Sequence, residues 1–515
     1  MTPSAESSPI PETEINGGIE AANTLAFDAS HFLPDLEAAR LLPRRIAARY
    51  QVAPLSLDEK TIRVGMCNTM DLEALDYIEM VTRRTVVPVE VTSDQFRELI
   101  QRIYGSSTAG PEELSSTVAE VISLAKDSTD GSELPIIRLV DQILAEAVRS
   151  SATDIHIQPE EDETVIRARV DGMLRILTLL PRKVHTSLTT RVKVMADLDI
   201  SERRMPQDGE IQLVLGDRKI DLRVSTVPTI FGENIVLRIL DHSRVMLGLE
   251  DLGYRPDDKA ELEGLLQRPN GIILVTGPTG SGKSTTLYAA MRSIDSASLN
   301  IMTLEDPVEY QLKGIRQSQI SEKAGFTFAS GLRAFMRQDP DVILVGEMRD
   351  QETAEIALRA ALTGHLVLST LHTTSAVGSI ARLRDMGMKD FLLAGTLAGI
   401  LAQRLVRKIC KECGEEFEAG MPEKKFLGIP EDRQVTLRRA KGCKSCRDSG
   451  YRGRFAVYEL LKITPNLAHA LAHGIPQTEL ETMALKEGLI PLRQMGVTRV
   501  LEGWTTIEEL ARAVV

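Results

Sequence analysis

Four apolar runs in the middle of the chain set the first expectation for the fold. They lack the strict alternation of half-exposed strands, and segments with helical periodicity separate them. Short, nearly continuous apolar strands that alternate with helices are typical of a parallel sheet covered on both faces. We therefore predict an α/β domain over residues 253–405. Its four predicted strands are GIILVTG (271–277), NIMTLED (300–306), DVILVGE (341–347) and HLVLSTLH (365–372).

A second region, residues 133–243, shows an alternating pattern instead. It opens with ELPIIRLVDQILAEAVRS, whose apolar residues recur at helical spacing, and continues with segments in which apolar and charged residues alternate. Alternation of this kind is typical of strands with one buried face and one charged face. The pattern predicts a separate α+β domain, here called the second domain. Its predicted strands are DIHIQP, TVIRARVDG, IQLVLGD, KIDLRVS and NIVLRIL.

The remaining segments complete the predicted domain organisation. Acidic sequence without periodicity predicts disorder at the N-terminus, and Gly- and Ser-containing sequence predicts a linker further on. In chain order, the predicted parts are a disordered segment (1–30), a small α+β module (31–106), a linker (107–132), the second domain (133–243), the α/β domain (253–405), a Cys-bearing subdomain (406–455) and a helical C-terminal subdomain (456–515).

Composition argues against several classes of protein, although it leaves room for a local basic patch. The chain has 515 residues, 43% of them hydrophobic and 26% charged, which is typical of a globular protein with about three or four domains. A formal net charge of -12 and only 4% aromatic residues argue against non-specific DNA or RNA binding, which depends on basic surface and stacking side chains. Five cysteines are too few for a disulfide framework. We predict no nucleic acid partner.

No targeting segment is recognisable in the sequence. Residues 1–30 contain five acidic residues and no Lys or Arg, so the basic start of a secretory signal is missing. The longest uncharged stretch, 360–381, holds two histidines and many small polar residues, which is typical of a buried core and not of a membrane span. We expect a cytoplasmic protein that contacts membranes only through partners.

The segment after the first apolar run matches the phosphate-binding pattern G-x-x-x-x-G-K-[ST]. It reads GPTGSGKS, follows a predicted strand and precedes the predicted helix STTLYAAMRSI, which is the context that the motif requires. Its backbone N–H groups would hold the phosphates of ATP, Lys283 would reach the β- and γ-phosphates, and Ser284 would bind Mg²⁺. The predicted nucleotide-binding residues are Gly277, Pro278, Thr279, Gly280, Ser281, Gly282, Lys283, Ser284 and Thr285.

Carboxylates and histidines at the ends of the other runs are candidate catalytic groups. Glu347 ends the third run in the position of a Walker-B carboxylate, and Glu305 and Glu309 follow the second run. The C-terminal ends of parallel strands line one crevice, so these groups should converge on the γ-phosphate. His365 and His372 flank the fourth run and could donate a hydrogen bond there. The alternative is that the carboxylates are surface residues and the histidines are core residues.

Several arginines could stabilise charge on a transferred phosphoryl group. Arg223 and Arg238 lie in strands of the second domain, and Arg333, Arg337 and Arg349 surround the third apolar run. From spacing alone, each of them could equally be the partner of a surface ion pair.

Two CxxC pairs predict a metal site in the Cys-bearing subdomain. Four thiolates at this spacing form the tetrahedral ligand set of a structural Zn²⁺ site, with no position left open for a substrate. Basic residues between Arg404 and Arg447 could offset the negative charge of the thiolates. The alternative is four reduced or redox-active thiols, and Cys67, which stands alone, is predicted to be an inert core thiol. The predicted zinc ligands are Cys410, Cys413, Cys443 and Cys446.

Together these motifs resemble those of the secretion ATPases of the type II/type IV pilus superfamily, most closely the type II secretion ATPase. The resemblance runs from about residue 31 to the C-terminus. Besides the phosphate-binding motif and the four cysteines, it includes DIHIQP, RARVDG, ERRMPQDG, DLRVST, TLEDPVEY, RQDPDVILVGEMRD and TGHLVLSTLHT. It implies a RecA-like P-loop ATPase domain, a preceding PAS-like α+β domain, nucleotide bound between the two, and a homo-hexamer.

The resemblance also implies roles for particular residues. By motif match, Glu347 is the Walker-B carboxylate and Glu305 activates the attacking water. His365 and His372 form the His box of the family. The arginines that match basic positions of the family are Arg223 and Arg238, which approach the phosphates, and also Arg333, Arg337, Arg349 and Arg454.

Two positions depart from the family pattern. Glu210 follows PQDG where family members often have Arg, and Gln158 replaces the Glu of a DIHIEP-like motif. Both lie outside the phosphate-binding loop and concern local contacts. The N-terminal module resembles the part that docks onto a membrane-associated partner. Because no repeated RLG-type motif is visible in it, we do not predict a cyclic dinucleotide ligand there.

The implied function is ATP hydrolysis that drives pseudopilus assembly for type II secretion, at the cytoplasmic side of the inner membrane and through inner-membrane platform and assembly proteins. The nearest alternative is the type IV pilus assembly ATPase, which shares these motifs. A pilus retraction motor would usually lack the four cysteines and the first module. A DNA-translocating motor would need basic loops with aromatic residues, and a nucleotide-binding scaffold without turnover would not need Glu305 and Glu347.

Overall fold

The computed structural model describes residues 133–215, 218–241 and 247–514 without interruption. Earlier in the chain, it describes residues 38, 41–42, 46–47, 50–58, 60–93, 95–96, 99–100, 114, 117–119 and 121. The predicted disordered segment 1–30 and most of the predicted linker 107–132 lie outside the described residues. The chain divides into two units, Met1–Thr108 and Ala109–Val515.

Three strands and one helix make up the described core of the first unit. They are β1 (Val52–Leu57), β2 (Thr61–Met66), α1 (Leu72–Thr82) and β3 (Thr85–Glu90). β2 pairs with β1 antiparallel and with β3 parallel. Asp71 caps α1 by accepting a hydrogen bond from the N–H of Ala74, and Ala74, Ile78 and Thr82 are buried one turn apart. The predicted α+β module is confirmed, and β1, with Pro54 at the sheet edge, is an addition.

The second domain contains a six-stranded antiparallel sheet and two helices. Its elements are α2 (Glu133–Arg149), β4 (Ala152–Pro159), β5 (Glu163–Val170), β6 (Met173–Pro181), α3 (Arg182–Met195), β7 (Gln207–Leu215), β8 (Arg218–Thr229) and β9 (Gly232–Asp241). The strand order is β6-β5-β4-β9-β8-β7. Apolar residues of alternating strand positions, such as Ile155, Leu222 and Leu237, form one core with both helices. The five predicted strands and the first helix are all present.

β6 and α3 are additions to the predicted elements of this domain. The turn between β5 and β6 is Asp171–Gly172, and both of its residues have positive φ, 49° and 85°. An Asp-Gly pair between two apolar segments is the sequence signature of a two-residue hairpin turn. The sequence therefore contained a readable signal for β6.

The α/β domain is built on a seven-stranded sheet. Its strand order is β12-β11-β13-β14-β10-β15-β18, and every neighbouring pair is parallel except β15 with β18. All residues of β10 and β14 are buried, as the apolar runs predict. The strands of this half of the chain are β10 (Gly271–Thr276), β11 (Ile301–Glu305), β12 (Arg316–Gln319), β13 (Val342–Val345), β14 (Leu366–Leu371), β15 (Leu397–Ile409), β16 (Gly414–Glu418), β17 (Thr436–Ala440) and β18 (Tyr451–Lys462).

Helices surround this sheet and follow it to the C-terminus. They are α4 (Pro256–Leu266), α5 (Lys283–Ser293), α6 (Phe328–Phe335), α7 (Gln351–Leu362), α8 (Ala376–Asp385), α9 (Asp390–Thr396), α10 (Met421–Leu427), α11 (Pro465–Ala472), α12 (Gln477–Lys486), α13 (Leu492–Leu501) and α14 (Ile507–Val514). None of the described helices has the length and apolar character needed to cross a membrane.

The cysteine-bearing segment is a long connection between two strands of the same sheet. β15 continues to Ile409 and β18 begins at Tyr451, so both strands run through the predicted boundaries at 405/406 and 455/456. They pair antiparallel from Gly399 opposite Lys462 to Ile409 opposite Tyr451. Between them, β16 and β17 form a separate antiparallel pair.

Candidate active site and metal centre

The glycine-rich segment forms a loop between a buried strand and a helix. Gly277–Gly282 joins β10 to α5, and Ser284 is exposed in the first helical turn. Gly277 and Gly282 have φ values of 147° and 88°, in the region that favours glycine. A Cβ atom on Gly277 would lie 2.5 Å from the carbonyl oxygen of Gln403. The close approach of β15 therefore requires a glycine at the start of the loop.

Lys283 folds back onto this loop. Its Nζ donates hydrogen bonds to the carbonyl oxygens of Gly277 at 2.9 Å and Pro278 at 3.2 Å. Burial lowers the pKa of Lys283, the negative charge of Glu347 opposes that shift, and the positive charge of Arg404 adds to it. The ammonium group thus lies within electrostatic reach of one carboxylate and one guanidinium.

Glu347 and His372 come together because β13 and β14 are parallel neighbours. Both residues follow the C-terminal ends of these strands. Nε2 of His372 lies 3.5 Å from Oε2 of Glu347, and Arg349 forms an ion pair with Oε1 of the same carboxylate. The Glu347 side chain is 17% exposed. A carboxylate with a histidine partner therefore lies at the edge of the sheet near Lys283.

Glu305, at the end of β11, has a different environment and is only 5% exposed. Its Oε2 accepts a hydrogen bond from the phenol of Tyr288, and its Oε1 accepts from Thr303 Oγ1 at 2.6 Å and from Gln317 Nε2 at 3.1 Å. Burial and the hydrogen bond to Glu305 raise the pKa of Tyr288, so this phenol stays a donor. Both oxygens of Glu305 are engaged within the domain, and its role as a water-activating base stays a prediction.

His365 lies at the other end of β14 from His372. Its Nδ1 forms a hydrogen bond with the carbonyl oxygen of Ala360 at 2.8 Å, and its own carbonyl accepts from the N–H of Gly271, at the start of β10, at 3.2 Å. The six residues of β14 separate the two histidines, a span of about 20 Å in extended chain. Within one chain, His365 is therefore not brought to the phosphate-binding loop.

Arg223 and Arg238 lie opposite each other in the β8–β9 pair and share one face of the second domain. Arg223 donates to Oε2 of Glu309 at 3.2 Å and to the carbonyl oxygen of Val308 at 3.3 Å, both in the segment after β11. Arg238 pairs with Asp154 at 3.3 Å, and its side chain is 61% exposed. Arg223 therefore connects the two domains, whereas the ion pair of Arg238 stays within its own sheet.

The other predicted arginines form ion pairs or backbone hydrogen bonds at separate places. Arg333 pairs with Glu352, and Arg337 donates to the carbonyl oxygen of Arg333 at 2.9 Å. Arg454, in β18, lies 3.8 Å from Oδ1 of Asp171 at the β5–β6 turn. Arg454 thus forms a second contact between the α/β domain and the second domain.

The four predicted metal ligands form one cluster, in which all Sγ atoms lie within 4.8 Å of one another. The Sγ–Sγ distances are 3.9 Å between Cys410 and Cys443, 3.7 Å between Cys413 and Cys446, and 3.7 Å between Cys443 and Cys446. Thiolates bound tetrahedrally to Zn²⁺, with Zn–S distances of about 2.3 Å, would be about 3.8 Å apart. The donor set and its geometry therefore fit a closed tetrahedral zinc site.

Backbone N–H groups favour the thiolate form of one of these ligands. Cys446 Sγ accepts hydrogen bonds from the N–H groups of Cys443 and Gly450, each at 3.2 Å. Burial would raise the pKa of Cys446, but these two donors and the hydrogen bonds with the thiols of Cys443 and Cys413 together outweigh it and lower the pKa to about 7. A cysteine ligand must be deprotonated to bind a metal, so these N–H donors favour the form of Cys446 that binds a cation.

Basic residues around the cluster have acidic partners of their own. Arg439 and Lys441 pair with Glu415 at 3.1 and 2.5 Å. Arg447, next to the last cysteine, pairs with Glu146 of α2 at 3.3 Å. The cysteine cluster is therefore adjacent to a third contact with the second domain.

Gln403 is a site residue that no motif indicates. Its side chain is 1% exposed, and its Nε2 donates to the carbonyl oxygen of Ser281, in the phosphate-binding loop, at 2.8 Å. Its Oε1 accepts from Thr286 Oγ1 at 3.0 Å and from the phenol of Tyr254 at 3.1 Å. It thereby connects the loop, helix α5 and the segment before α4. The available sequence signal is a glutamine that interrupts the apolar segment LAGILAQRLV.

Two protein families match the sequence. The family described as "Type II/IV secretion system protein" matches residues 129–512, and the family described as "MshEN domain" matches residues 20–110. The first match contains the phosphate-binding loop, the candidate catalytic carboxylates and the four cysteines.

Curated relatives are similar over almost the whole chain. The Type II secretion system protein E of Dickeya dadantii is 45% identical across 92% of this chain and 97% of that protein. The Type IV pilus assembly ATPase PilB of Myxococcus xanthus is 40% identical across 96% of this chain and 88% of that protein. The solved structure of the pilus retraction motor PilT with bound ADP is 28% identical with a TM-score of 0.50, over 72% of this chain and 95% of that chain.

Proposed function

This chain belongs to the type II/IV secretion system protein family, and on that premise we propose that it powers pseudopilus assembly in a type II secretion apparatus. Its relatives include a type II secretion protein and a type IV pilus assembly ATPase, so it is an ATPase of secretion or pilus assembly. Its fold is the α/β fold of these ATPases, preceded by an MshEN module. The 45% identity to the type II protein, against 40% to the pilus protein, favours the former.

One observation carries the catalytic part of the proposal: Glu347 and His372 lie 3.5 Å apart at the C-terminal edge of the parallel sheet, within electrostatic reach of Lys283. The loop Gly277–Gly282 and the N-terminus of α5 present backbone N–H groups to an anion, and the helix dipole favours negative charge there. The ADP bound by the related PilT supports a nucleotide as the occupant. Residues Gly277–Thr285 would then bind the phosphates of ATP.

We assign separate roles to the polar side chains of this edge. Ser284 would hold Mg²⁺, which neutralises phosphate charge when bound. Glu347, with His372 at ion-pair distance beside it, would orient the attacking water and accept its proton. Glu305 is the second candidate base, and that role would require it to exchange one of its internal hydrogen bonds for one to water.

We infer that Arg223 couples the nucleotide to the second domain. Its guanidinium bridges to Glu309 and Val308, immediately after the strand that carries Glu305. A phosphate group that attracted this guanidinium would weaken the bridge and change the contact between the two domains. Arg238, on the same face and largely exposed, would assist from the same sheet.

We further propose that Cys410, Cys413, Cys443 and Cys446 hold a structural Zn²⁺. Four cysteine ligands leave no open coordination position, so the ion would stabilise the connection between β15 and β18 and would take no part in hydrolysis.

The family resemblance supports the remaining parts of the proposal. They are a homo-hexamer, docking through the module 31–106 onto inner-membrane platform and assembly proteins, and a position at the cytoplasmic face of the inner membrane. The net charge of -12 supports the expectation of no nucleic acid partner.

Phosphate release from ATP tests the catalytic proposal. We expect Lys283→Ala to lower the rate by about 100-fold or more, because the ammonium stabilises charge on the phosphates. Lys486→Ala, which removes an exposed lysine of α12, is the matched control and should be fully active. Full activity of Lys283→Ala would contradict the proposed site.

A gene deletion in the organism of origin tests which apparatus the ATPase serves. Loss of secreted enzymes with intact surface pili is expected for the type II assignment. The second candidate, a type IV pilus assembly ATPase, is favoured by the 40% identity to PilB over 96% of this chain. It predicts the opposite result, loss of pili with intact secretion.

A further inference from the structure

Arg404 lies beside the phosphate-binding loop, one residue after Gln403 on β15. The parallel pairing with β10 carries β15 past the point where β10 ends and the loop begins. Nη1 of Arg404 donates to the carbonyl oxygen of Gln403 at 3.1 Å, and Nη2 donates to the carbonyl oxygen of Thr374 at 3.3 Å. The guanidinium therefore bridges from the base of the loop to the segment after β14 that carries His372.

Among the described residues, this guanidinium forms no ion pair. In the described part of the chain, no carboxylate oxygen lies within the 4.0 Å ion-pair distance of Arg404. Three residues further along β15, Arg407 forms an ion pair with Glu509 at 2.7 Å. Burial lowers the pKa of Arg404, and the charge of Glu459 opposes this only in part. A partly buried cation without a counter-ion is unfavourable, so an anion at this position would be stabilised.

Lys283 is a second cation at the same place. Its Nζ is held by two carbonyl oxygens of the loop, and the charge of Arg404 is near enough to disfavour its protonated form. Glu347 is the one acidic group that acts on Lys283 from the described residues. Glu347 is itself paired with Arg349, and Glu459 acts on Arg404 from beyond ion-pair distance. The site therefore has positive charge that a phosphate group would neutralise.

We propose that Arg404 is a further phosphate-binding residue of this ATPase, supplied by β15 of the same chain. Two of its five N–H groups are used by backbone carbonyls, and the remaining donors suit phosphate oxygens. The inference rests on the nucleotide site proposed above. The bridge to Thr374 also gives the segment that carries His372 a direct connection to the bound phosphate.

Nucleotide binding by the full-length protein tests this inference. Dissociation constants for MgADP and MgATPγS are measured for the wild type, Arg404→Gln, Arg404→Lys and Arg359→Gln, together with the melting temperature of each protein. Arg359, an exposed arginine of α7 paired with Glu355, is the matched control. Loss of a charge-assisted hydrogen bond to phosphate should weaken binding by about tenfold or more in Arg404→Gln. Arg404→Lys, which keeps the charge, should lose about threefold or less.

The other outcomes each contradict the inference in a recognisable way. Arg404→Gln that binds as tightly as Arg359→Gln would show that the guanidinium does not contact phosphate. Equal losses of nucleotide affinity in Arg404→Gln and Arg404→Lys would show that Arg404 stabilises the fold and does not bind phosphate. A fall in melting temperature so large that binding cannot be measured would show the same. A wild type that binds neither nucleotide would overturn the nucleotide site itself, and with it the proposed function.

Discussion

At the scale of single residues, two glutamates at the ends of neighbouring strands have different properties. Glu305 is buried and accepts hydrogen bonds from three side chains, whereas Glu347 is partly exposed and is bound by Arg349 and His372. Their sequence contexts, an apolar run that ends in Glu, are alike. The difference arises from Tyr288 and Gln317, which reach Glu305 from a helix and from an edge strand.

Substitution by glutamine should separate the two glutamates. Glu347→Gln removes a candidate general base, whose contribution is typically about 100-fold or more, so we expect a corresponding loss of kcat with little change in melting temperature. Glu305→Gln replaces one acceptor oxygen of the carboxylate by an NH₂ group, which would face the groups that now donate hydrogen bonds to Glu305. This mismatch should destabilise the domain by about 1–3 kcal/mol. Phosphate-release kinetics and thermal unfolding measure the two effects.

The assignment of Glu347 as the principal base depends on this difference between the two variants, loss of kcat in one and loss of stability in the other. Equal melting temperatures with kcat lost only in Glu305→Gln would reverse the roles of the two residues. MgADP binding should be retained by both variants and serves as the control for folding of the loop.

Gln403 supports the phosphate-binding loop without contacting the predicted nucleotide. Gln403→Leu removes the side-chain donor to the carbonyl oxygen of Ser281 and the acceptor shared by Thr286 and Tyr254, whose hydroxyls still contact each other at 3.1 Å. The loss of each hydrogen bond amounts to about 1 kcal/mol or more. We expect the KM for ATP to rise about tenfold while kcat changes less, because the loop loses its bound-state geometry. Gln494→Leu, which changes an exposed residue of α13, is the control. An unchanged KM in Gln403→Leu would contradict a positioning role.

At the scale of elements, the length and register of strands decide which residues meet. The six residues of β14 hold His365 and His372 at opposite edges of the sheet, although both flank one apolar run in the sequence. The long antiparallel pairing of β15 with β18 joins the two ends of the cysteine-bearing connection. We therefore expect that changes in the cysteine cluster leave the pairing of the ATPase sheet intact.

Metal removal should therefore destabilise the segment between β15 and β18 before it affects the core of the seven-stranded sheet. Without a cation, four clustered thiols lose their shared ligand, and the turn Lys444–Cys446 loses its anchor. We expect residues 410–450 to become sensitive to protease after chelation or in Cys446→Ser, while β10 and β14 keep their hydrogen-exchange protection. Elemental analysis for zinc and limited proteolysis measure the change. Cys67→Ser is the control, and a preparation without bound metal would contradict the zinc assignment.

At the scale of the whole molecule, three ion pairs between described residues connect the second domain to the rest of its unit. They are Arg223 with Glu309, Arg454 with Asp171, and Arg447 with Glu146. They reach three different places: the segment after β11, strand β18 and the cysteine cluster. Partly exposed pairs of this kind contribute little stability, about 1 kcal/mol or less each, so a ligand can rearrange them.

The pair Arg223–Glu309 makes a prediction about coupling. If Arg223 serves the phosphates, Glu309→Gln frees its guanidinium and should tighten MgATPγS binding by about twofold to fivefold, whereas Arg223→Gln should weaken it. The double variant should then resemble Arg223→Gln, because Glu309 acts only through that arginine. Dissociation constants of the three variants measure this. Additive effects would show that Glu309 influences the nucleotide independently.

Local patterns in the sequence determined much of the fold and part of the site. The apolar runs predicted β10, β11, β13 and β14, the alternation predicted the strands of the second domain, and the glycine-rich loop and the four cysteines were recognised from their spacing alone. These features could be predicted because each depends on residues that are near in sequence. Strand periodicity, positive φ at glycine and CxxC spacing are all local properties.

Only the tertiary structure decided which of the candidate residues act together. Gln403 reaches Ser281, Arg404 reaches Thr374, and Arg223 reaches Glu309 across long sequence separations. These contacts depend on the order and register of strands in two sheets. No periodicity within one strand specifies that order, because the register follows from how buried faces pack against elements elsewhere in the chain.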